Sequence, residues 1–407
     1  MTSTTRRDFL KTSLGASLLG TILPAAPGFL ARAPAAPLRR KADGTILVAL
    51  QLAGGNDGLN AIVPYANDDY GRNRRTLRLT AREVLKIDAD LGFHPGMPAM
   101  KRLFDDGLLT VVQGVGYPQP NQSHETSMRI WQTGHPEDPM FQTGWLGRAA
   151  DALVGLAPAD MPAVFVGQIA RPFVLNARTA VVPSVGKIED CFLRSASGHM
   201  EPAGRPNALL EFVRQTAAAA DVLNRKLETA AKRPTNVDYP PLPLAQSLRT
   251  VAQLIRAEAG IRLFVVELGG QEPGGFDTHA NQRDNHASLL RQLSQCVAAW
   301  ADDLCGDRLL DRVVLMTYSE FGRTLAENGR RGTDHGSAAP VFLVGGRLRG
   351  GLVGPHPDLA DIENGGGGKH HTDFRRLYAV LLESWLGLDA RAILSGDFKP
   401  LDLLRDA

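Results

Sequence analysis

The chain's 407 residues, 43% of them hydrophobic, suffice for one large α/β domain or two ordinary ones with a real core. The formal charge is nearly balanced at +2. Residues 1–35 carry a net +3 (Arg6, Arg7, Lys11 and Arg32 against Asp8), leaving a body near −1 with no electrostatic reason to bind nucleic acid.

Thr5-Arg6-Arg7-Asp8-Phe9-Leu10-Lys11 is a twin-arginine motif. The uncharged stretch Thr12–Ala31 is broken by Gly15, Gly20, Pro24, Pro27 and Gly28, so no stable membrane span is expected. Ala33-Pro34-Ala35 offers a small-x-small cleavage site. Residues 1–35 therefore read as a twin-arginine (Tat) signal peptide and 36–407 as one α/β domain. The Tat export machinery is the expected partner and the periplasm or the exterior the destination.

Thr45–Leu52 reads as the first buried strand. It ends in Gly54-Gly55-Asn56-Asp57-Gly58-Leu59-Asn60, where glycines allow a tight turn and Asn56, Asp57 and Asn60 supply side-chain oxygens; turn chemistry alone is the plainer reading. Leu108–Gln113 is the second strand. Ser123 then opens a helix closed by Gly134, as an N-cap or as a nucleophile where helix amides favour an oxyanion, with Thr126 as the spare hydroxyl and His124 beside it.

Ala163–Gly167 is a short strand, residues 175–205 carry no chemical signal, and Asn207–Lys232 and Leu244–Glu258 read as helices. Ile261–Leu268 is the third strand, followed by Asp277-Thr278-His279, whose i, i+2 spacing puts two candidate ligands on one side of an extended segment. A helix over 286–304 leads into the strand at Val313–Thr317. That strand–helix–strand crossover implies a parallel pair with Asp277, His279 and Glu320 at one sheet edge. Asp334-His335 follows in a loop, and a carboxylate with an Asp-His pair suits a divalent cation. Val341–Gly345 is a short strand. Residues 364–369 form a glycine loop before His370, His371 and Asp373, and Phe374–Leu386 is the last helix. The three cysteines, Cys191, Cys296 and Cys305, are too few for a disulfide framework and read as packing residues.

The leader, GGNDGLN at 54–60, Ser123-His124 at a helix start, GGFDTH at 274–279, SEFGRT at 319–324, GTDHG at 332–336 and TDFRRLYAVLLESWLG at 372–387 together resemble the DUF1501 family, in the alkaline phosphatase/sulfatase-like superfamily. The resemblance implies a doubly wound α/β fold, a mostly parallel sheet sandwiched by helices, with one or two metals at its carboxyl edge. Residue by residue, it implies Asp57 as a bridging ligand, Ser123 as nucleophile, Asp277 and His279 on one metal, Glu320 or Asp334 with His335 on the other, and His371 or Asp373 as the final ligand. The expected activity is metal-dependent hydrolysis of a small anionic phosphate or sulfate ester, with zinc first among the metals and manganese or calcium as alternatives. Ser123, His124 and Arg323 are the expected catalytic side chains. Glu320-Phe321, standing where the superfamily has Asp-His, favours the alternative of a non-catalytic exported binding protein.

Overall fold

The computed structural model describes residues 44–156, 161–186, 237–269 and 275–405, with a few single positions between 225 and 235. The leader, Cys191 and most of the helix expected at 207–232 lie outside the described residues. Residues Arg40–Ala407 belong to one compact unit.

The strands, in chain order, are β1 Ile46–Leu52, β2 Ile62–Val63, β3 Leu85–Lys86, β4 Gly92–Phe93, β5 Leu109–Gly116, β6 Ala163–Val166, β7 Ser184–Val185, β8 Leu263–Leu268, β9 Val313–Tyr318, β10 Arg323–Glu327, β11 Thr333–His335, β12 Ala339–Val344, β13 Gly351–Val353 and β14 Thr372–Asp373. The α-helices are α1 Gly58–Ala61, α2 Asp68–Asn73, α3 Pro98–Asp105, α4 His124–Thr133, α5 Trp145–Leu156, α6 Pro243–Arg256, α7 Gln282–Gly306, α8 Phe374–Ala379 and α9 Ala390–Leu394. Helix α8 continues as a π-helical turn over Val380–Leu386.

The main sheet runs β13-β5-β12-β9-β1-β8-β6-β7, with β14 against β5. Every pairing in it is parallel except those of β12, which lies antiparallel to β5 and β9. Side chains alternate along β1 because successive Cβ atoms point to opposite faces. Ile46, Val48 and Leu50 join the core under α3, α6 and α7, and Leu47 and Ala49 join the core under α4, α5 and α8. Both faces are thus covered, as a buried parallel sheet requires. The structure shows the expected doubly wound, mostly parallel sheet between helices.

The expectation that β8 and β9 pair is corrected. Each lies parallel to β1, on opposite sides of it. The consequence for the site is favourable, because Gln51 is level with both Glu267 and Tyr318, so all three strands end at one edge. The turn after β1 needs its glycines. Gly54 has φ +111°, and a Cβ there would lie 2.4 Å from the Asp277 amide nitrogen. Cys296 is buried, but Cys305 is exposed and fills no core position. Among the described residues no helix is long and apolar enough to cross a membrane.

Candidate metal centre

Three imidazoles and one carboxylate meet beyond this edge. Asp277 follows β8, His279 lies two residues on, His124 opens α4 beyond β5, and His335 ends β11. The Asp277 Oδ1 atom is 3.1 Å from His279 Nε2, 3.3 Å from His335 Nε2 and 3.4 Å from His124 Nε2. His279 Nε2 and His335 Nε2 are 2.9 Å apart. Phe321 lies under the rings of His124 and His335, with centroids at 4.9 and 4.6 Å, and is itself buried.

The outer nitrogen of each ring is already committed. His124 Nδ1 is 2.9 Å from Glu320 Oε1, His279 Nδ1 is 3.1 Å from Asp334 Oδ1, and His335 Nδ1 is 2.7 Å from the Gln122 carbonyl. Carboxylates and carbonyls only accept, so each Nδ1 carries a proton there, which leaves Nε2 as the atom each ring would offer to a cation beside Asp277. Two lone pairs facing at 2.9 Å repel unless a cation or a proton lies between them. His124 Nε2 is moreover buried without a hydrogen-bond partner. Three imidazole nitrogens and a carboxylate, each ring held from behind, match the donor set of a zinc site, and the predominance of nitrogen disfavours calcium. Charge agrees: Asp277, Glu320 and Asp334 against Arg323 leave two negative charges, which one divalent ion balances.

The surroundings tune the groups. Burial pushes the Asp277 carboxyl up, but Arg323, with Nη2 2.7 Å from Oδ1, outweighs it and holds the group below the usual range. The hydrogen bond with Glu320 raises the His124 pKa, whereas burial lowers that of His335. The amide of Asn328, with help from His279, keeps Asp334 low.

Several expected roles change. Asp57 is not available as a metal ligand. It is fully buried, and Arg74 grips both its oxygens at 2.6 and 2.9 Å while Gln282 donates to one of them. Arg74, equally buried, spends its other N–H groups on Asn60 Oδ1 and the carbonyls of Thr324 and Leu325. Arg323 is not a free clamp for substrate. Besides Asp277 it donates to the carbonyls of Gly54, Gly55, Phe276 and Thr333, and so ties the strand-end loops together.

Glu320 and Asp334 stand behind histidines, not at the centre, while His124, read as a catalytic group, takes the inner place. His371 is held elsewhere, with Nε2 2.8 Å from the Pro355 carbonyl and Nδ1 3.0 Å from Thr372 Oγ1, because β14 draws it to the end of β5. Asp373 caps α8 and pairs with Arg375. Ser123 does take the N-cap position, but its side chain makes no capping bond.

The sequence reading missed Arg74, Gln122 and Asn328. Gln122 contributes a backbone carbonyl, which leaves no trace in residue type. It also missed buried His94 and gave no role to His286 at the helix start; burial pushes them down to about 4 and about 3. His286 Nε2 lies 3.0 Å from Asn56 Oδ1.

The fold and this cluster define a doubly wound α/β protein with a candidate metal centre at the carboxyl edge of its sheet: His124, Asp277 and His335 offer ligand atoms within 4.8 Å of one another, and His279 Nε2 adjoins Asp277 and His335. Residues 45–389 match the family described as "Protein of unknown function (DUF1501)", and the chain belongs to that family. No curated protein matches it. Similar solved structures include the C-terminal periplasmic domain of EcEptC from Escherichia coli in complex with Zn, at 10% identity and TM-score 0.35 over 74% of this chain and 73% of that one. The lipoteichoic acid synthase LtaP from Listeria monocytogenes is similar at 9% and 0.40 over 85% and 72%. A protein in the alkaline phosphatase superfamily from Vibrio parahaemolyticus is similar at 11% and 0.39 over 88% and 70%. At such scores the likeness carries no argument about chemistry, which rests on the residues above.

Proposed function

We propose that the protein is an exported, metal-dependent hydrolase of small anionic phosphate or sulfate esters, working with one divalent ion, zinc in the first place. The observation that carries this reading is the convergence of three inward Nε2 lone pairs on Asp277. A divalent cation held there supplies Lewis acidity near neutral pH and a positive charge toward an anionic ester. His124, His279 and His335 bind it, Asp277 completes the set, and Arg323 fixes Asp277 through a buried guanidinium. Phe321, buried beneath the rings of His124 and His335, gives the site an apolar floor. Ser123 keeps its hydroxyl at the α4 N-terminus, one residue before His124, where amide N–H groups favour an oxyanion. Export rests on the twin-arginine motif at Arg6-Arg7, which also makes the Tat machinery the expected partner.

One observation favours the second reading, an exported binding protein without turnover. Four side chains can close the coordination of a purely structural ion, and the guanidinium beside the cluster, Arg323, is buried with each of its nitrogens already bonded to protein. The test is metal content after purification through the native export route, followed by assay on aryl phosphates and aryl sulfates. Hydrolysis that disappears in His335→Ala and falls in Ser123→Ala supports the hydrolase. Stoichiometric metal with no turnover on any ester supports the binding protein. Turnover unchanged in Ser123→Ala removes Ser123 as nucleophile and leaves a water in that role.

A further inference from the structure

Glu320 lies two residues past the end of β9 and is only 2% exposed. Its Oε1 accepts the Gly54 N–H at 2.8 Å and the His124 Nδ1–H at 2.9 Å, and its Oε2 lies 3.0 Å from Ser319 Oγ. Its own carbonyl accepts from Ser127 Oγ, one turn along the helix that His124 opens. The carboxylate is thus held by Gly54 after β1, Ser319 after β9 and His124 at the start of α4. We propose that Glu320 is a positioning residue that sets the tautomer, the ring angle and the basicity of His124, and thereby the affinity of the centre for zinc. The inference rests on the metal centre proposed above.

The three histidines form a graded series. His124 has a buried carboxylate behind it. His279 has the carboxylate of Asp334, whose side chain is 59% exposed. His335 has a neutral carbonyl. A hydrogen bond to a charged acceptor is stronger than one to a neutral acceptor, and it is stronger still where water is excluded. Outer-shell carboxylates behind ligating histidines are typically worth about 10–100-fold in metal affinity. Glu320 should lie at the top of that range and Asp334 at the bottom.

The experiment uses the full chain stripped of metal and titrated with zinc against a chromophoric chelator. Glu320→Gln keeps an acceptor for Gly54 and His124 and removes the charge. It should weaken zinc by about 10–100-fold, Asp334→Asn by less than about 10-fold, and Glu320→Ala by more than either. Cobalt(II) in place of zinc should show shifted absorption bands in Glu320→Gln, which mere packing would not produce. The control is Glu137→Gln, which removes the charge from a like carboxylate–histidine pair at His135, outside the centre, and should leave zinc binding unchanged.

A second readout needs no variant. Nitrogen-15 NMR of labelled histidines in the metal-free wild type should find His124 protonated at Nδ1. Zinc bound as tightly by Glu320→Gln as by wild type, or His124 protonated at Nε2, overturns the proposal while leaving the metal centre standing. A wild type that takes up no zinc overturns both.

Discussion

Two acidic loops leave the same sheet edge, and their fates differ. After β1, Asp57 is fully buried and bound on both oxygens by Arg74 and Gln282. After β8, Asp277 is 44% exposed in its side chain and faces three imidazole Nε2 atoms as well as Arg323. Both pairings join a carboxylate to a buried arginine. The first arginine saturates its carboxylate and makes a closed strut. The second reaches Oδ1 of Asp277, the same oxygen that the three Nε2 atoms face. Residue type does not distinguish a ligand from a strut; the count of donors and acceptors does.

The contrast can be broken most forcefully at Asp57. Asp57→Ala leaves the Arg74 guanidinium buried without its counter-charge and should cost about 3–5 kcal/mol of unfolding free energy in metal-free protein. Denaturant titration in the presence of chelator measures it. Unchanged stability with lost zinc affinity would make Asp57 a ligand after all.

On the open side, His335→Ala should lower zinc affinity by more than about 100-fold, beyond what an outer-shell change gives, and leave metal-free stability largely intact. An unfolded variant would mean that the cluster is structural.

Acid should act on the closed region through His94 and His286. Burial holds their folded-state pKa values at about 4 and about 3, below the unfolded value near 6.5. The unfolded chain therefore takes up protons first as pH falls. Stability should be intact above about pH 6.5 and decline toward pH 4, by up to about 1.4 kcal/mol per pH unit for each histidine. Denaturant midpoints in chelator from pH 7 to 4.5 check this, and a flat profile would contradict the burial.

The smallest effect is expected at Ser123. Since its side chain caps nothing, Ser123→Ala should change stability by less than about 0.5 kcal/mol, against roughly 1 kcal/mol for a working cap.

The sheet's central strands are legible because β1, β8 and β9 are continuous apolar runs that only a doubly covered sheet accommodates. Residues 62–105 are not, because two-residue strands such as Ile62–Val63 and six-residue helices such as Asp68–Asn73 are too short to show a period. The insertion of β1 between β8 and β9 depends on contacts far apart in the chain. Asp277, His279 and His335 were legible as candidate ligands from strand-end position and residue type, and the structure brings them together. Asp57 looked the same, because Arg74, 17 residues on, decides its role only through the fold. Glu320 was correctly placed at the edge, but its orientation behind His124 follows from how α4 docks against the end of β9.

The most direct test is a crystal soaked in or grown with zinc, with anomalous scattering collected at the zinc edge. The account predicts a single zinc peak bounded by Nε2 of His124, His279 and His335 and by Asp277, with Asp57 still paired to Arg74. A peak at Asp57, or none at the histidines under saturating zinc, would contradict it.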